Sequence, residues 1–202
     1  MVALNLDLEK AFDKVEWPFL LSIFKHFGFL DKWTQMISQC ISTPSFSILI
    51  NGSPVGLFTS NRGIHQGDPI SPFLFILVID VLSWLFLQKE AEGSLQGIKI
   101  ARNCPPISHL MFVDDLVVFS RANRDDFAAV QSCLSQFLTW FGLSINKRNL
   151  TINFIQNVPP SSKISVQPDW FEPTNFQEFL PWASHSYPKR SPGSVQHHLG
   201  KD

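Results

Sequence analysis

Val2, Leu4 and Leu6 alternate with Ala3, Asn5 and Asp7, the two-residue period of a strand with one buried face. The period then changes. Trp17, Leu20, Phe24 and Phe27 recur at helical spacing, and Gly28 stands where a helix would stop. A second helix is predicted over about Asp31–Ser42. Phe46–Ile50 and Val55–Phe58 then flank Asn51-Gly52, a dipeptide suited to the positive φ values of a tight hairpin turn. Residues 59–69 are loop-like. Ser71-Pro72 opens a long apolar helix, with Ser71 read as the N-cap and Pro72 as the first helical residue.

Further along, Gly97–Ile100 reads as a short strand, and Ser108–Val113 and Leu116–Ser120 as two apolar strands meeting at Asp114-Asp115. Phe127, Val130, Leu134, Phe137 and Phe141 mark one face of an amphipathic helix, capped near Asn123 and closed by Gly142. A last strand is predicted over Leu150–Ile155. From Gln156 the pattern stops. The tail holds seven of the fourteen prolines and scattered Trp and Phe, whereas disordered segments are poor in aromatics. Residues 1–155 are therefore expected to form one folded domain. Residues 156–202 are expected to be an irregular tail outside it, arising from a reading-frame change or a misassigned exon.

Composition narrows the class. A chain of 202 residues with 45% apolar content can bury one real core. Its most membrane-like stretch, Phe73–Leu87, is interrupted by Asp80 and Ser83 and is shorter than the ~17–25 residues of a spanning helix. A buried core helix, and no membrane, is the expectation. MVALNLDLEK lacks the basic-then-apolar order of a signal peptide. Cys40, Cys104 and Cys133 are far apart and form no C-x-x-C pair, which argues against a disulfide framework or a zinc site. An intracellular, non-secreted location in nucleus or cytoplasm follows. The net charge of −1 argues against a self-sufficient nucleic-acid binder, which needs a basic surface.

Three segments carry candidate chemistry. In LDLEKAFD (6–13), Asp7 ends a strand, a position more often filled by a cap or turn residue than by a catalyst. In RGIHQGDPISP (62–72), Gly63 and Gly67 permit unusual backbone angles, and Gln66 offers both a donor and an acceptor. In FVDD (112–115), two adjacent carboxylates repel unless a positive group sits beside them. Asp125-Asp126 differs, since a helix N-terminus favours acids there, and it is assigned no chemistry. Asp7 and Asp114 each end a strand and can converge at one sheet edge. Clustered carboxylates without His or Cys suit Mg²⁺. Two such ions suit in-line phosphoryl transfer, which here means nucleotidyl transfer.

The order LDLEKAFD, RGIHQGDPISPFLF, FVDDLVVF and FGLSIN resembles successive segments of the reverse-transcriptase palm and palm-to-thumb region. NGSPVGLF and Glu16-Trp17 are similar to LINE-type (non-LTR) retrotransposons, especially those of plants. The resemblance spans roughly residues 2–155. It implies an α+β fold, an antiparallel palm sheet with helices packed on one face around a ferredoxin-like core. It implies RNA-directed DNA polymerase activity with an RNA template, a DNA primer and dNTPs as partners. It also implies two Mg²⁺ ions, or Mn²⁺, on Asp7, Asp114 and Asp115. Phe12 matches the residue under the sugar of the incoming nucleotide, where a ring excludes a 2′-hydroxyl; an ordinary core Phe is its other reading. Gln66 and Gly67 match the loop beside nucleotide and template.

The chain departs from the family pattern at several positions. Asn149 stands where the family usually has Lys, three residues after Asn146, and a neutral amide cannot protonate a leaving pyrophosphate. His65 replaces a common Arg or Lys, Val113 a common Ala and Asn5 a frequent Lys. The chain opens almost on the first catalytic strand, so the fingers region is expected to be missing, and a packed-helix thumb is not expected in the tail. No endonuclease, RNase H or maturase segment is seen. The expectation is a reverse transcriptase by ancestry without robust primer extension. An inert retrotransposon remnant and a non-catalytic nucleic-acid-binding module are the alternatives.

Overall fold

The N-terminal alternation forms strand β1 (Val2–Glu9). Val2, Leu4, Leu6 and Leu8 are buried, while Ala3, Asn5 and Asp7 on the opposite face are partly exposed. The computed structural model describes residues 1–154 and 176–178. On one side of β1 lies β5 (Asp115–Ser120), which forms a hairpin with β4 (His109–Phe112). On the other side lie β6 (Ser144–Ile145) and β7 (Thr151–Phe154). All these pairings are antiparallel. A one-residue slip of β1 would exchange its leucines for Asp7 and Asn5, so burial of one face fixes the register.

Between the strands run α1 (Ala11–Lys14), α2 (Trp17–His26), α3 (Asp31–Ser42), the hairpin β2 (Ser45–Ile50) with β3 (Ser53–Thr59), α4 (Ser71–Ala91) and α5 (Arg124–Phe141). α4 and α5 pack on each other, and α2 touches both. Leu74, Val78, Leu82 and Phe86 of α4 and Val130, Leu134, Phe137 and Phe141 of α5 join the β1 leucines, Leu116, Val118 and Ile152 in one core. The result is the expected α+β architecture of sheet and packed helices. Its caps follow from the sequence. The side-chain oxygen of Asn123 accepts from the Asp126 N–H at 2.8 Å, and Gly142 closes α5 in the left-handed region at φ 66°.

Some expectations need correction. Ser71 lies inside α4 and is not its cap, because Ile70 already has helical angles; the Asp68 carboxylate accepts the Ile70 N–H at 3.4 Å. Gly97–Ile100 is not a strand. It contributes a single bridge, Ile98 to Ile107, next to Pro105-Pro106, which has no N–H to extend a ladder. α4 is not wholly a core helix, since Phe73, Ile76, Trp84 and Leu87 are exposed on its outer side. It spans 21 residues and is long and apolar enough to cross a membrane by length and composition. Asp126 is more than a helix-end acid. It is fully buried, ion-paired to Arg121 at 2.7 Å, and accepts the N–H groups of Gln96 and Arg121. Burial pushes its carboxyl up, but the Arg121 and backbone hydrogen bonds outweigh that and hold it below the usual value.

Within the described residues β7 runs over Thr151–Phe154. In the expected irregular tail, Phe176–Glu178 form β8, paired parallel to β7 through Ile152–Phe176 and Phe154–Glu178. That short segment therefore belongs to the sheet. Residue 155 and the rest of 156–202 lie outside the described residues.

Candidate active site at the end of strand β1

The hairpin of β4 and β5 turns tightly. Phe112 pairs with Asp115 across the two-residue turn Val113-Asp114. Val113 takes a positive φ of 55° and Asp114 does not, the pattern of a turn whose first position usually holds Gly. A β-branched residue there is strained, a cost of order ~1–3 kcal/mol. The turn leaves Asp114 exposed at the tip and Asp115 at the start of β5.

Asp7 is the direct cross-strand partner of Asp115. Such partners share a sheet face, with Cβ atoms about 4.5–5.5 Å apart. The Leu8 N–H donates to the Asp114 carbonyl at 3.2 Å, which brings the tip against the end of β1. The backbone thus gathers the three candidate acids at one end of the sheet. The donors are all hard oxygens, which fit a divalent cation. As the side chains stand, no three His, Cys, Asp or Glu among the described residues form a group that could hold a metal ion. The Asp7 carboxylate is otherwise engaged. Its Oδ2 accepts from Asn146 Nδ2 at 2.9 Å and from Asn149 Nδ2 at 2.7 Å.

Phe12 sits in α1, half-buried, its ring stacked on Phe75 with centroids 4.6 Å apart. Its carbonyl accepts the Ile64 N–H at 2.8 Å, and the Val15 carbonyl accepts the Gly63 N–H at 2.8 Å. Trp17 donates its indole N–H to the Gly63 carbonyl at 2.6 Å. Gly63, at φ +83°, has no room for a side chain, because a Cβ would stand 2.5 Å from the Asp13 carbonyl oxygen. These bonds fasten the 62–68 loop to the segment after β1. Gln66 and Gly67 are the exposed middle of a turn closed by Asp68 N–H to His65 C=O at 3.3 Å. His65 stacks on Phe46 of β2, centroids 5.2 Å apart.

The fourth segment arrives from the far end of the chain. Ser144 and Ile145 pair with Glu9 and Leu8, and the Asn146 N–H donates to the Asp7 carbonyl at 2.9 Å. Lys14 bonds Glu9 at 2.8 Å and Ser144 at 2.6 Å. The Glu9 carboxyl is lowered, first by the Lys14 hydrogen bond and then by Ser144. The FVDD and FGLSIN segments therefore converge on the last residues of β1, and the 62–68 loop is fastened to the residues that follow it.

Residues 1–155 match the family described as reverse transcriptase (RNA-dependent DNA polymerase). The chain belongs to the reverse transcriptase family. This reverse transcriptase domain is 29% identical over 142 residues to the Pol polyprotein of the type-1 retrotransposable element R2 of Popillia japonica, covering 70% of this chain and 22% of that protein. It is 52% identical over 67 residues to an uncharacterized mitochondrial protein of Arabidopsis thaliana, covering 33% of this chain and 55% of that one. The reverse transcriptase domain thus spans about a fifth of the R2 polyprotein and about half of the mitochondrial protein. In fold it is similar to apo telomerase from Candida tropicalis, at TM-score 0.59 and 17% identity, over 79% of this chain and 31% of that one.

Sequence reading missed the two asparagines as partners of Asp7. The lysine position that Asn149 fills says nothing of this contact, and nothing local signals a bond across 142 residues. Trp17 and Gly63 belong to separate motifs, and their bond joins the two segments that hold them.

Proposed function

We propose that residues 1–155 are the palm of an RNA-directed DNA polymerase that transfers dNTP-derived nucleotides onto a primer 3′-hydroxyl. The observation that carries this reading is the register of Asp7 opposite Asp115, with Asp114 at the adjoining tip. Asp7, Asp114 and Asp115 are the proposed metal ligands. Two bound Mg²⁺ ions, or Mn²⁺, would supply charge stabilisation to the attacking and leaving oxygens. The carboxylates would hold those ions at the sheet end and need no proton transfer to do so. Phe12, braced by Phe75 and by its own carbonyl bond, is the proposed wall beneath the sugar that disfavours a 2′-hydroxyl. Gln66 and Gly67, at the exposed turn tip, are the proposed contacts to nucleotide and template. The partners in this reading are an RNA template, a DNA primer and dNTPs.

The test is incorporation of single nucleotides on an RNA-templated DNA primer at low salt with Mg²⁺ or Mn²⁺. Weak, metal-dependent incorporation favouring the complementary dNTP over the rNTP, and lost in Asp114→Ala, is the expected result. Robust extension is not expected, because a net charge of −1 offers little grip on phosphates. Incorporation that persists in both Asp7→Asn and Asp114→Ala would overturn the assignment. A non-catalytic nucleic-acid-binding role is the second reading, favoured by Asn149 at the family's lysine position. It requires salt-sensitive binding of primer-template that is indifferent to divalent ions.

A further inference from the structure

The turn after β6 is fastened to Asp7 at several points. The Asn146 N–H donates to the Asp7 carbonyl at 2.9 Å, and the Asn149 N–H donates back to the Asn146 carbonyl at 3.1 Å. The Asn146 side-chain oxygen accepts the Arg148 N–H at 3.2 Å. That bond decides which end of the Asn146 amide is oxygen, so its NH₂ group is the end that meets Asp7. Both amides then converge on a single oxygen of Asp7, Oδ2, at 2.9 and 2.7 Å. Two neutral donors restrain a carboxylate without cancelling its charge. A lysine at position 149 would set a full positive charge in the same region, where it would oppose a metal cation.

We propose that Asn146 and Asn149 are positioning residues for metal binding by Asp7. Their bonds occupy Oδ2 and would leave Oδ1 available to a cation that Asp7 would hold together with Asp114 and Asp115. This rests on the reading of those acids as the metal site. In that reading the lysine-to-asparagine departure is a change of task at position 149: the residue gives up a proton-donating cation and becomes an orienting partner of the first carboxylate. Partners of ligating side chains typically carry about 10–100-fold in metal affinity.

The experiment is a Mn²⁺ titration of the full 202-residue chain, with free and bound ion read by electron paramagnetic resonance. Wild type is expected to bind Mn²⁺, and Asp7→Asn to lose that binding. Asn149→Ala should weaken binding about tenfold and alter the bound-ion spectrum. Asn149→Gln, which keeps an amide donor, should recover part of the loss. Asn149→Lys should bind more weakly than Asn149→Ala. Asn149 is exposed, and metal-free unfolding midpoints of its variants, measured alongside, should shift far less than their Mn²⁺ affinity, which separates orientation from folding. Mn²⁺ binding that depends on Asp7 but is equal in wild type, Asn149→Ala and Asn149→Lys would overturn the positioning role and leave the metal site standing. Mn²⁺ binding unaffected by Asp7→Asn would overturn the metal-site reading itself.

Discussion

Trp17 donates its indole N–H to the backbone carbonyl of Gly63, 2.6 Å away and 46 residues along the chain. The bond lies where two backbone bonds, Gly63 to Val15 and Ile64 to Phe12, close the same gap. The loop bearing Gln66 and Gly67 is thereby held at a fixed distance from the end of β1.

This arrangement separates two glycines that look alike in the sequence. Gly63→Ala should destabilise by more than ~2 kcal/mol, since the residue is at φ +83° and its Cβ would meet the Asp13 carbonyl at 2.5 Å. Gly67→Ala has nothing within 4 Å and keeps only the strain of φ +94°, about 1 kcal/mol. Urea denaturation of the two variants measures the difference. Equal losses would show that contact with Asp13 is unimportant.

Asp7 and Asp115 face each other as like charges, an unfavourable cross-strand pair. Asp115→Asn should therefore stabilise the metal-free protein by about 0.5 kcal/mol and abolish any stabilisation by added Mn²⁺. Thermal unfolding with chelator and with Mn²⁺ reads both effects. A variant less stable than wild type in chelator would contradict the repulsion.

Phe12 serves two ends that one substitution can distinguish. Phe12→Val should cost roughly 1–2 kcal/mol through the lost stack on Phe75. It should also narrow the preference for dNTPs over rNTPs in the single-nucleotide assay. A loss of stability with unchanged preference would return Phe12 to an ordinary packing residue.

The acid limb of stability should carry the signature of Asp126. Its folded carboxyl lies below the ordinary 3.8, so its contribution is present above that value and is lost as pH falls through the folded one. Arg121→Ala leaves a buried carboxylate without its cation and should cost about 3 kcal/mol at neutral pH. Burial then dominates and raises the carboxyl, so the deficit should shrink on acidification as the group protonates. A deficit that is constant from pH 7 to pH 4 would count against this pairing.

Long periodic segments were legible in the sequence because burial imposes its own spacing. β1 shows this through Val2, Leu4, Leu6 and Leu8, and α5 through Phe127 to Phe141. α1 and β6, at four and two residues, are too short to show a period. They exist because the chain around them is tethered, β6 by pairing with Leu8 and Glu9. The gathering of Asp7, Asp114 and Asp115 at one sheet end was legible from the order of their motifs. The asparagines against Asp7 were not, since their bonds depend on how sheet neighbours distant in sequence meet.

The middle position of β1 also bears on synthesis. Its partners β5 and β7 begin at Asp115 and Thr151, so the strand leaves the ribosome about a hundred residues ahead of its first neighbour. At about 5–20 residues per second, that is a wait of roughly 5–20 s with neither edge paired. During that time its apolar side is open to chaperones or to other nascent chains. Asn5 and Asp7, set between the leucines, and Glu9, just after them, then act as gatekeepers against premature association. The carboxylate proposed for catalysis is in this respect also a safeguard of the unfinished chain.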